Sequence, residues 1–98
     1  MTLIHHLALQ AEWDEAVARG GPYQRSTIGQ SLAEVGFVHC SFDGQVEQTA
    51  ELFYAHRDDV IVLTIDTERL DADVRVEGGF PHIYGAVPLS AVVDARPR

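Results

Sequence analysis

The run Val60-Ile61-Val62-Leu63, continued by Thr64 and Ile65, constrains the fold of this chain more than any other stretch. Every residue in it except Leu63 is β-branched, stiff about χ1 and suited to a pleated strand. It is far too short to span a bilayer. A strand with one wet face would alternate apolar with polar residues, and this one does not. It is therefore expected to be a central strand covered on both faces, which requires further layers around it. With 46% apolar residues in 98, the chain has material for them. A chain of this length buries roughly two thirds of its unfolded surface, enough for one core without staples. One domain over residues 1–98 is the expectation.

The flanking segments supply the layers. Residues 2–7 are short, apolar and extended in style, a first strand. Leu9, Trp13, Ala16 and Val17 fall at helical spacing, and Gly20-Gly21-Pro22 ends that helix. Residues 23–30, rich in hydroxyl and amide groups, read as a loop. Ser31-Leu32-Ala33-Glu34 is an S-x-x-E capping box for one helical turn. Residues 37–41 form a strand entered through Gly36. Asp43 is placed to cap a second helix with Val46, Thr49, Ala50 and Phe53 as its inner stripe, and His56 and Arg57 near its end complement the dipole. Asp66 caps a single turn through Leu70. Residues 73–77 alternate as a strand, Gly78-Gly79 turns the chain, and 80–85 and 89–95 give the last two strands. Two main helices with five or six short strands make an α+β domain.

Charge narrows the partners. The net charge is −8, and the seven cations are all arginines, scattered without a basic stripe. Long nucleic acids need their phosphates neutralised, so such a partner is not expected. One small anionic ligand held by one or two arginines remains compatible. A single cysteine, Cys40, rules out an internal disulfide and fits a reducing cytoplasm. The N-terminal residues lack the basic-then-apolar order of a secretion signal, so a cytoplasmic protein without a membrane association is expected. The oligomeric state is not legible.

Three apolar segments carry histidine: Ile4-His5-His6-Leu7, Gly36-Phe37-Val38-His39-Cys40-Ser41 and Phe80-Pro81-His82-Ile83-Tyr84-Gly85. Histidine changes charge near neutral pH and can orient a ligand hydroxyl. Strand alternation puts Val38 and Cys40 on one face, the core, and Phe37, His39 and Ser41 on the other, facing a groove. His5 and His6 point oppositely, so only one can join that groove. A metal needs three or four convergent ligands. Adjacent His39 and Cys40 diverge, and no H-E-x-x-H or C-x-x-C occurs, so no metal site is expected. Cys40 reads as a buried structural thiol. Ser41 lacks a G-x-S-x-G elbow and reads as a strand-end cap. Glu77, beside the glycines, is either a solvated turn residue or a carboxylate for a sugar hydroxyl. Tyr84 is either a packed aromatic or a groove residue on the face of His82. Neither a G-x-G-x-x-G nor a Walker loop is present.

These three segments, with Glu12-Trp13, Ser31-Leu32 and Phe53-Tyr54 between them, resemble the small bacterial family called domain of unknown function 952. The resemblance covers nearly the whole chain. That family is similar in fold to the ADP-ribosyltransferase group, which binds NAD in a cleft between two small sheets. The resemblance thus implies an ADP-ribosyltransferase-like split β-sheet with two main helices. It implies a cleft in which His6, His39, Ser41, His82 and Tyr84 hold NAD or a related nucleotide, with His39 and Glu77 as the catalytic pair if ADP-ribose is transferred. His6 and His39 would bond ribose or phosphate oxygens, Tyr84 would stack on a ring and Glu77 would polarise. The family pattern has a tyrosine before the first-strand histidine and a threonine two residues after it. Here those positions are His5 and Ala8, so the threonine hydroxyl is missing. The reading from another class is a non-catalytic binding or interaction module that kept the cleft.

Overall fold

The computed structural model describes residues 2–26 and 30–98; positions 27–29 of the expected 23–30 loop lie outside the described residues. The elements in order are β1 (Leu3–Leu9), α1 (Gln10–Arg19), α2 (Leu32–Val35), β2 (Val38–His39), α3 (Val46–Tyr54), β3 (Val60–Asp66), β4 (Asp73–Glu77), β5 (Phe80–Tyr84) and β6 (Val92–Pro97). They build two small antiparallel sheets, β1-β3-β6 and β2-β5-β4. The class is α+β. No helix among the described residues is long and apolar enough to cross a membrane.

β3 is the central strand of the first sheet, and both its faces are covered. Ile61, Leu63 and Ile65 stand opposite Ala8, His6 and Ile4 of β1. Directly opposed residues share a face, and this face meets α1 through Ala16 and the second sheet through Val38, Cys40 and Ile83. On the reverse face Val60, Val62 and Leu7 are covered by Ala50 and Tyr54 of α3. The unalternating sequence of β3 follows from these two apolar layers.

Several local devices are as expected. Ser31 and Glu34 close a capping box, and Asp66 accepts from the Glu68 amide to start the turn after β3. Gly78 and Gly79 both have positive φ, 61° and 84°, at the two-residue turn joining β4 to β5. Such a turn favours residues that reach the left-handed region without a Cβ clash.

Other expectations need correction. Val17 is 49% exposed, being rotated away from Ala16, and Tyr54 rather than Phe53 closes the inner face of α3. Asp43 makes no helix cap; it opens a 3-10 turn, and the Gln45 side chain bonds the Phe42 amide instead. The last strand begins at Val92, because Pro88 introduces a 3-10 turn over Leu89–Ala91. It extends to Pro97, past the expected end at residue 95, with the Arg98 amide bonded to the Val60 carbonyl.

The segment 37–41 is regular strand only at Val38 and His39, and the reason is topological. The Cys40 amide still bonds Pro81 of the second sheet, but Ser41 exchanges both backbone bonds with His5 of the first. The chain crosses between sheets there and occupies the otherwise free edge of β1.

Candidate functional site

His6 lies on the core face of β1 and is 2% exposed. Its Nδ1 is 2.6 Å from the His39 carbonyl oxygen and its Nε2 is 2.9 Å from the Tyr23 hydroxyl. A carbonyl can only accept, so Nδ1 carries the proton and Nε2 accepts from tyrosine. Burial lowers the imidazole pKa from 6.5 to about 4, with the His39 carbonyl opposing and the His39 charge assisting. His6 is thus neutral, with both nitrogens held by protein. It acts on the site by fixing the backbone of β2 at His39.

His39 stands directly opposite His82 in the β2–β5 pairing. Their ring centroids are 5.3 Å apart, edge to face. Phe80 lies 5.5 Å from His39, and Phe37 lies 4.5 Å from His82 and 5.7 Å from Tyr84. From β4, opposite His82, Arg75 places its guanidinium 5.0 Å over the Tyr84 ring. The Tyr84 hydroxyl donates to Glu77, and this carboxylate holds the phenol pKa up. The outer face of the second sheet is therefore a half-buried aromatic and imidazole surface bordered by Arg75, whose guanidinium is 3.8 Å from the Asp73 carboxylate, and by Glu77. Partial burial, with the nearby His82 charge, lowers the His39 pKa and favours its neutral form.

On its other side His39 lines a small pocket with His6, Ser26, Ser41, Thr49 and Tyr54, and Phe53 at the rim. About 10 Å³ is free, room for roughly one water. Ser41 donates to Thr49 at 3.2 Å, and both are buried. The Ser26 hydroxyl is buried without a hydrogen-bond partner among the described residues.

Of the residues named from sequence, His39, His82 and Tyr84 share the aromatic face, Glu77 borders it, and Ser41 and His6 line the pocket. His5 points away, with Nδ1 3.2 Å from the Thr64 hydroxyl and Nε2 3.3 Å from Asp43. Cys40 is core-facing, and burial pushes its thiol pKa up, which leaves it inert. No three metal-ligating side chains converge among the described residues. Sequence reasoning placed Phe37 on the face of His39 without giving it a role, and it missed Tyr23, Ser26 and Thr49 as parts of the site; Tyr23 and Ser26 lie in a segment without periodicity.

Fold and site together define a class: a two-sheet α+β domain with a histidine- and aromatic-lined face. The family model described as "Protein of unknown function (DUF952)" matches residues 7–95, and the chain belongs to that family. The crystal structure of protein CC0527 from Caulobacter crescentus is similar at 30% identity and a TM-score of 0.82, over 98% of this chain and 85% of that one. The solution NMR structure of CC0527 is similar at 31% identity and 0.76, over 99% and 84%. No curated protein matches.

Proposed function

We propose that the outer face of β2-β5-β4 and the pocket behind His39 bind NAD or a related nucleotide, in a split-sheet domain of the ADP-ribosyltransferase type. The observation that carries this reading is the His39–His82 cross-strand pair flanked by Phe37, Phe80 and Tyr84. Such rings offer stacking surface to a planar base, and base–aromatic stacking is worth about 1–3 kcal/mol. The residues present suit the parts of such a ligand. A base fits the open face and not the pocket, whose 10 Å³ is too small for a ring. Arg75, at the border of the face, offers a cation to a phosphate.

Binding has more support than transfer. NAD would supply an electrophilic ribosyl carbon, and Glu77 is a carboxylate on this face that can stabilise charge there, Asp73 on the same face being paired with Arg75. In this structure Glu77 is engaged by Tyr84, Ser41 by Thr49, and Cys40 is buried. Those engagements favour the second reading, a binding module without turnover. Calorimetric titration with NAD tests the proposal. Saturable binding is expected in the wild type, weakened about tenfold in His39→Ala, the worth of one hydrogen bond. Nicotinamide release by the wild type would assign transfer as well. Absence of any saturable NAD binding overturns the reading.

A further inference from the structure

Ser26 is 3% exposed, and its hydroxyl has no hydrogen-bond partner among the described residues. The His39 ring beside it is half-buried and packs edge to face on His82 and tilted against Phe80. Ser26 and His39 line the same pocket of about 10 Å³, beside the Ser41–Thr49 hydroxyl pair. A buried polar group left unpaired is costly, and native proteins keep few of them.

The character of the pocket selects what can fill it. Among the described residues no arginine lines it, so an anion entering would lose hydration without a compensating cation. Its volume admits one oxygen-sized group and excludes an aromatic ring. A neutral imidazole presents one donor and one acceptor, and a serine hydroxyl presents both. The groups that match are uncharged and both donor and acceptor: a water, or an alcohol hydroxyl that takes its place.

We infer that the pocket is a hydroxyl-recognition subsite for a sugar, with Ser26 and His39 as its specificity-determining residues. This rests on the nucleotide reading and sharpens it. The ribose enters hydroxyl first, while base and phosphate stay outside on the aromatic face and near Arg75. Ser26 then discriminates ribosyl ligands from free bases and from inorganic anions.

The test is an NMR titration of wild type and Ser26→Ala with three separate probes, D-ribose, nicotinamide and inorganic phosphate, observing the His39 imidazole and the Phe37 and Tyr84 rings. In the wild type, ribose should shift the His39 imidazole, nicotinamide the Phe37 and Tyr84 rings, and phosphate should leave His39 unshifted. In Ser26→Ala, ribose affinity should fall about tenfold, the loss of one hydrogen bond, with nicotinamide unaffected. The substitution is nearly isosteric and removes an orphaned polar atom, so the melting temperature should hold or rise. Ribose that leaves His39 unshifted, or binds both proteins equally, overturns the inference. So does a lower melting temperature with unchanged ribose affinity, which would assign Ser26 to the fold. Ribose bound through Ser26 by a protein that does not bind NAD would support the subsite and overturn the NAD reading alone.

Discussion

At the scale of residues, His39 divides its roles between backbone and side chain. Its backbone carbonyl holds His6, while its side chain makes ring contacts with His82 and Phe80. His39→Ala therefore keeps the backbone bond and loses only half-buried ring area. Its stability cost should be about 1 kcal/mol or less, within roughly 8 °C of melting temperature for a domain of this size. If His39 and His82 grip one ligand, the double-mutant cycle with His82→Ala should show non-additive losses of affinity. Strictly additive losses would mean separate sites. Strand alternation made His39, Val38 and Cys40 legible in sequence, because side-chain direction is a local property of extended backbone. Ser26 and Tyr23 were not legible. Tyr23 is held by His6 of β1 and by Val87, and Ser26 lines a pocket with His6, all far away along the chain, and no periodic pattern records such contacts. Cys40 gives a check on the alternation itself. A thiol reagent should modify it slowly in the native protein and quickly after unfolding; rapid native modification would mean that the face assignment is inverted.

At the scale of elements, β3 carries the fold. Leu63 is 0% exposed, between the core face of β1 and the second sheet, whereas Val62 on the reverse face is half-buried. Leu63→Ala should cost about 2–5 kcal/mol through lost burial and the void left behind. Val62→Ala should cost about 1 kcal/mol, since less apolar surface leaves water there. Urea unfolding curves with equal slopes would report both costs, and equal losses at the two positions would contradict the inequality of the two faces. The run of β-branched residues made this strand readable without a structure. The crossing of 37–41 between sheets was not readable, since edge pairing with β1 depends on where two distant strands end. The shift of β6 from 89–95 to Val92–Pro97 has a similar origin. Pro88 and the burial of Ala91 favour a turn first, and the strand then extends because the Val60 carbonyl is available to the Arg98 amide.

At the scale of the whole molecule, His6 joins parts that the sequence sets far apart. It sits on the first sheet, bonds the backbone of the second through His39, and anchors the segment after α1 through Tyr23. Protonating it would place a second proton on Nε2 and remove the acceptor that Tyr23 needs, inside a site closed to water. The folded protein resists this, with the pKa lowered from 6.5 to about 4. The unfolded chain binds that proton more readily, so the stabilisation is complete above pH 6.5 and is lost progressively as pH falls toward 4. The full loss corresponds to about 3 kcal/mol. His39, lowered in the same direction, adds to the trend. Lowered carboxylates such as Glu15, Glu34 and Asp59 act below their ordinary values of 4.5 and 3.8, so the interval from pH 7 to 5 belongs mainly to the histidines. Melting temperatures should fall steadily across that interval. His6→Asn keeps a donor for the His39 carbonyl but cannot gain a charge. It should melt lower than wild type at pH 7, by about 1–3 kcal/mol for the stranded Tyr23 hydroxyl, and with a visibly flatter dependence on pH. A variant whose melting temperature tracks the wild-type slope from pH 7 to 5 would show that His6 does not supply the acid sensitivity, and that some other group joins proton uptake to the separation of the two sheets.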